Sequence, residues 1–166
     1  MPGSATVHRV NLAEANLVEV GDAPEGFRRS SAQFGPSLGA RQSGASTYRL
    51  EPGQAVCPYH YEYGEEEWLL VLTGNPWLRT PAGTEDLKPL DLAFFPCGPD
   101  GAHQVGNATE DPVTLLMWST ILHPSVSAYP DSDKVAVWDE NRELDLMVER
   151  AAATSYYAGE GGSPSC

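Results

Sequence analysis

Positive charge is scarce in this chain. Lys and Arg number 10 against 23 Asp and Glu, a formal net charge of -13. Such a surface is repelled by a nucleic-acid backbone or an anionic membrane, so neither is expected as a partner. Long apolar runs are missing. No stretch approaches 18 residues, so no membrane-spanning helix is expected. The N-terminal MPGSATVHRVNLAEANLVEV has no basic segment leading into an apolar one, so no signal peptide is expected either. Cysteine is scarce too. Cys57, Cys97 and Cys166 make an odd number without CxxC spacing. A disulfide framework is therefore not expected, and a reducing cytoplasmic setting is.

What is present suits a globular fold. Hydrophobic residues make up 41% of 166 residues, enough for one domain with a real core. Gly 16 and Pro 14 suit short strands joined by tight turns. Residues 1–38 read as a lead-in with edge strands, Val7 to Val20 forming either a strand or a short helix. Residues 39–122 read as the barrel core, 123–158 as an extension packed on it, and 159–166 as a disordered tail. About eight short strands fall between 46 and 120 with no helix between them, the pattern of an antiparallel sandwich or barrel. Two more strands, or a strand and a helical turn, are expected at Val135 to Trp138 and Leu144 to Val148. Leu50, Leu70, Leu72, Phe95 and Leu116 are expected to fill the barrel.

The chain is organised around Gly53 to Gly74, GQAVCPYHYEYGEEEWLLVLTG. Val56 to Tyr63 and Trp68 to Leu72 read as the two strands of a hairpin with a polar mouth. Side chains two apart on a strand share a face, so His60 and Glu62 point together and Glu67 starts the return strand. His103 follows a Pro/Gly loop. Acidic runs such as Glu65-Glu66-Glu67 are usually only solvated. Here the shared face of His60 and Glu62, with a second histidine downstream, favours a site for one divalent ion: Fe, Mn, Ni or Zn. The expected ligands are His60, Glu62, Glu67 and His103. Glu62 is alternatively a general base beside a three-ligand ion.

These residues resemble the two motifs of the cupin superfamily. The first motif, G-x5-H-x-H-x3-4-E-x6-G, is matched by His60, Glu67 and Gly74, with Glu62 where a second histidine is usual. The second, G-x5-P-x-G-x2-H-x3-N, is matched by Pro96, Gly98, His103 and Asn107. Six residues rather than five separate Gly53 from His60, Leu90 stands at the second motif's glycine, and four residues rather than two separate Gly98 from His103. The stretch Tyr129 to Trp138 is similar to the tails of small single-domain bacterial cupins. The resemblance implies an all-β, double-stranded β-helix, a jelly-roll barrel, and a homodimer. It also implies chemistry on a small molecule.

Cupins include dioxygenases, isomerases, decarboxylases and lyases, so the fold leaves the reaction open. Two histidines with carboxylate and open positions resemble a non-haem Fe(II) centre, which favours an oxidoreductase of dioxygenase type. The alternatives are a metal-dependent isomerase or lyase, or a non-catalytic binding module. Tyr59, Tyr61 and Tyr63 are expected on the face opposite His60, as sheet packing or dimer surface. Cys57 and Cys97 read as small buried hydrophobes, with Cys57 pointing away from His60. Arg41, Arg49 and Arg79 are the basic residues available to an anionic substrate. His8 and His123 lie outside both motifs and are read as incidental.

Overall fold

The computed structural model describes residues 7–161. The extreme N-terminus and most of the expected disordered tail lie outside the described residues. Thirteen strands follow in chain order: β1 (Val18–Glu19), β2 (Ser30–Gln33), β3 (Ser43–Leu50), β4 (Tyr61–Glu62), β5 (Glu67–Thr73), β6 (Trp77–Thr80) and β7 (Gly83–Asp86). They continue with β8 (Leu92–Phe95), β9 (Gln104–Gly106), β10 (Val113–Thr120), β11 (Ser125–Tyr129), β12 (Lys134–Trp138) and β13 (Leu146–Glu149). Eight of these, β3 to β10, occupy the stretch where about eight were expected. The lead-in holds both alternatives: a 3-10 turn at Leu12–Glu14 and then β1.

The strands form antiparallel sheets. One has six strands in the order β1-β2-β3-β10-β5-β8, one has four in the order β13-β12-β11-β4, and one has three in the order β7-β6-β9. Strands distant in sequence lie side by side, as a jelly roll requires. Isolated bridges at Ala55↔Gly106 and His60↔His103 tie the chain before β4 to the segment at β9. The core between the sheets is Leu50, Val56, Leu69, Val71, Leu78, Leu87, Phe95, Val105, Val113, Leu115 and Met117.

Three expectations about this architecture need correction. Leu70, Leu72 and Leu116 are half-buried, while their neighbours Leu69, Val71 and Leu115 are fully buried. A continuous apolar run hides which parity faces inward, and register decides it: Leu69 pairs with Met117 and Leu70 with Leu116. Val56 to Tyr63 is not one continuous strand. Bends around Pro58 break it, so only Tyr61–Glu62 pairs as a strand. The segment after His123, where no strand was expected before Val135, supplies β11, which pairs with β4 and carries the extension back to the barrel.

Two backbone positions bear on the motifs. Gly74 has φ 80, and a Cβ there would lie 2.6 Å from the Val113 side chain, so this tight corner needs glycine. Leu90 also adopts a left-handed φ of 75, with its side chain exposed, at the position where a glycine was expected.

The core parity is testable. Leu115→Ala should cost about 2–5 kcal/mol in denaturant unfolding, as large-to-small changes in sealed cores do. Leu116→Ala should cost clearly less. Equal losses would refute the assigned faces.

Candidate metal centre

His60 and His103 come together because their backbones pair. The two residues face each other across an antiparallel bridge and exchange both hydrogen bonds: His60 N–H donates to His103 C=O at 3.1 Å and His103 N–H to His60 C=O at 2.8 Å. Their rings lie 4.7 Å apart between centroids. Glu67 enters from the first residue of β5, on the same face as the buried Leu69 and Val71. Its Oε2 sits 3.6 Å from His60 Nε2 and 3.5 Å from His103 Nε2.

The imidazoles are oriented from behind. His60 Nδ1 lies 3.0 Å from the Pro58 carbonyl, and His103 Nδ1 lies 2.9 Å from the Gly101 carbonyl. A carbonyl only accepts, so each Nδ1 carries a hydrogen and each Nε2 is the nitrogen turned to the centre. The His103 ring is also stacked on Phe95, with centroids 3.7 Å apart. Gly101 is needed here, because a Cβ would lie 1.8 Å from the Pro96 carbonyl oxygen.

The donor set fits a divalent ion. His60, Glu67 and His103 offer ligand atoms that all lie within 4.8 Å of one another. Glu67 Oε2 and His103 Nε2 are buried and have no hydrogen-bond partner among the described residues. Leaving such atoms orphaned is costly, and a shared cation would satisfy both. Nitrogen and carboxylate donors without thiolate suit Fe, Mn, Ni or Zn, and three protein ligands leave positions open.

Glu62 stands beside this set rather than within it. Its Oε1 is 3.9 Å from His60 Nε2. Both its oxygens accept from Ser127 Oγ at 2.8 Å, and Trp138 Nε1–H donates to the same Ser127 Oγ at 2.8 Å. Thus β11 and β12 hold Glu62 through a serine. Asn107, the last motif residue, is buried and structural. Its Nδ2 donates to the Leu50 and Asp111 carbonyls, closing the turn before β10.

Burial and mutual charge move the protonation of this cluster. Glu67 is raised to about 7, first by burial and then by Glu62 and Glu65 against the opposing effect of His60. His103 is lowered to about 3, first by burial and then by His60. His60 is raised to about 10: burial, the largest influence, works against this, and Cys57, Glu67 and Glu62 outweigh it. Burial is also the first cause of the raised Glu62.

A cavity of about 200 Å³ opens against the centre, lined among others by Arg29, Ser46, Tyr48, Cys57, His60 and Glu67. Several of these were not legible in the sequence. Ser46 and Tyr48 share one face of β3, a parity that could have flagged them. Arg29 lies in the lead-in and gave no signal. Cys57 was expected to face away, yet its Sγ is 3.5 Å from His60 Nδ1, because the bend at Pro58 resets the alternation. Cys97 was expected buried and is exposed. The three arginines expected near a substrate are elsewhere. Arg79 forms a two-pronged pair with Asp131 at 2.6 and 2.9 Å and lies over Tyr59, Arg49 pairs with Glu51, and Arg41 is exposed. Tyr59 and Tyr61 are buried and only Tyr63 is exposed, so no exposed tyrosine face exists on this strand.

Double-stranded antiparallel β walls with two histidines and a carboxylate at one mouth define a jelly-roll barrel with a candidate mononuclear metal centre. Residues 46–119 match the family model described as Cupin domain. The chain thus carries, over its barrel core, a domain that matches the cupin superfamily. It is similar to a sugar phosphate isomerase of that superfamily from Silicibacter pomeroyi, at 25% identity and TM-score 0.76, covering 91% of this chain and 98% of that one. A proposed sugar phosphate isomerase from Acidithiobacillus ferrooxidans is 26% identical with TM-score 0.71, covering 78% of this chain and 81% of that one. The polyketide cyclase RemF from Streptomyces resistomycificus, 19% identical with TM-score 0.60 and covering 72% and 84%, shares the fold. No curated protein matches the chain in sequence. Among the described residues, no helix is long and apolar enough to cross a membrane.

Metal binding should be proton-coupled. At neutral pH the ion displaces a proton from His60, and it competes with a second on Glu67 as pH falls through about 7. Calorimetric titration with Mn(II) in buffers of different ionisation enthalpy should therefore show proton release and an affinity that falls with pH, more steeply below about 7. His103→Ala should abolish binding with the fold retained. A pH-independent affinity, or full binding by the variant, would refute the ligand set.

Proposed function

We propose that this cupin is a metal-dependent enzyme acting on a small, oxygen-bearing molecule, and that the reaction is an isomerisation of a hydroxy-carbonyl compound such as a sugar phosphate. The observation that carries the metal reading is the pair of orphaned buried donors, Glu67 Oε2 and His103 Nε2, beside His60. The isomerase reading is supported by the two related structures named for that activity. It displaces the oxidoreductase reading as first choice.

A bound divalent ion would supply Lewis-acid polarisation of a substrate oxygen. His60, His103 and Glu67 would hold it, and the Pro58 and Gly101 carbonyls fix the ring orientations. Glu62, clamped by Ser127 and kept above the ordinary carboxylate range first by burial, is placed to take a proton from the carbon beside a carbonyl and return it to the neighbouring carbon. Phe95 and Met117 line the inner side with apolar surface.

One specific observation favours a second reading. Two histidines and one carboxylate with open positions are the donor set of non-haem Fe(II) oxygenases. The two readings separate cleanly. The isomerase should interconvert aldose and ketose phosphates without oxygen, followed by NMR. The oxygenase should consume oxygen in an electrode when loaded with Fe(II). Glu62→Gln should keep its metal by elemental analysis and lose at least about 100-fold in turnover if Glu62 moves the proton. Loss of metal would make Glu62 a ligand instead. A protein free of metal, with no turnover of either kind, would leave a non-catalytic binder.

Homodimer formation is also proposed, through a face other than the tyrosine strand first expected. On the outside of the six-stranded sheet Trp68 stacks on Trp118 and Phe94, and Leu92 and Phe94 are exposed. Across β8, β5 and β10 the outward positions Leu92, Phe94, Trp68, Leu70, Leu116 and Trp118 carry no carboxylate. Two acidic chains could meet here without like-charge repulsion. Sedimentation should give a dimer that Phe94→Glu splits. A monomeric parent protein would rule it out.

A further inference from the structure

We infer that Arg29 is the anion-recognition residue of the cavity at His60 and Glu67, and that the molecule bound there carries a carboxylate or phosphate group. The inference deepens the metal-enzyme reading and rests on it for the second anchor point of the ligand.

Arginine is a limited resource in a chain with 10 basic and 23 acidic residues. Arg49, Arg79, Arg142 and Arg150 are each paired with a carboxylate: Glu51, Asp131, Asp145 and Asp133. Arg9, Arg28, Arg29 and Arg41 form no such pair among the described residues, and of these Arg29 lines the cavity at His60 and Glu67. One terminal nitrogen donates to the Phe27 carbonyl at 3.3 Å, and the guanidinium carbon lies 5.9 Å from the Tyr48 ring centre. Its Nε is buried and has no partner. A guanidinium cannot shed its charge, so a buried, unmatched N–H has to be compensated. In so acidic a protein, a cation that lines the cavity of a candidate metal centre without a carboxylate of its own is suited to an external anion.

Charge and size agree. A divalent ion offsets the Glu67 and Glu62 carboxylates, so the charge of Arg29 is left over at the cavity. The open positions of the ion and the guanidinium together favour an anionic ligand that spans them. The planar guanidinium fork matches carboxylate and phosphate oxygens. The cavity of about 200 Å³ exceeds an engineered 150 Å³ cavity that holds benzene, so it suits the reactive end of a small polar molecule. Arg29 also borders a second cavity of about 370 Å³ with Arg28, Arg49, Glu51 and Glu19. There Arg49 is already engaged by Glu51.

The test uses the full chain loaded with Mn(II), its metal content checked by elemental analysis, and two probes: inorganic phosphate and oxalate. Calorimetry should show binding of at least one probe, and the stronger one tells phosphate from carboxylate recognition. Arg29→Gln should weaken it at least about 10-fold, as loss of a charge-assisted hydrogen bond does, with metal content unchanged. Arg29→Lys, which keeps the charge and guards against a folding defect in the first variant, should recover part of the loss. Arg49→Gln should change nothing. The inference is overturned if neither probe binds, if Arg29→Gln binds as the parent does, or if Arg49→Gln loses as much, which would place the anion in the outer cavity. A chain that holds no metal but binds a probe through Arg29 would refute the metal reading and leave this inference standing.

Discussion

The site depends on one backbone pairing, the bridge between His60 and His103. Two hydrogen bonds at 3.1 and 2.8 Å set residues 43 positions apart directly opposite each other. Once the backbones are locked, the imidazoles have little choice but to stand side by side. The Pro58 and Gly101 carbonyls, each two residues before its histidine, then fix which nitrogen faces the centre. The close approach of Gly101 to Pro96 makes the second of these possible. Metal affinity in such an arrangement is a property of the fold, since the donors are brought together before any ion arrives.

Around that bridge the barrel sorts its residues by cost. Apolar side chains of β5 and β10 fill the interior from one end, and the same inward face of β5 ends in Glu67. A carboxylate and an imidazole are thus placed at the rim of an apolar core, where burial raises the first and lowers the second. Polar atoms are tolerated there because each is either clamped, as Glu62 is by Ser127, or offered to something external, as Glu67 and His103 are. Arg29 follows the same logic at the other side of the cavity.

The C-terminal extension contributes more than cover. Its β11 pairs with β4 and delivers Ser127 to Glu62 and Ser125 to Glu65, while Trp138 of β12 secures Ser127. A residue that motif position alone assigns to the metal is therefore held by a network from outside the barrel core. That placement sets Glu62 apart from the three candidate ligands.

Much of this was legible in the chain by itself. Turn residues around short apolar runs are local signals, and they located the strands from 46 to 120. Fixed spacing located His60, Glu67 and His103, because their neighbours in sequence are also the turns and strands that orient them. Sequence did not reveal which half of a continuous apolar run faces inward: Leu69 rather than Leu70, and Leu115 rather than Leu116, were chosen by cross-strand register. Nor did it reveal that a bend at Pro58 turns Cys57 toward His60. The partners of Glu62 and the cavity position of Arg29 were decided only by tertiary structure. They come from β11 and the lead-in, segments that meet the site through long-range pairing and leave no periodic trace in their own residues.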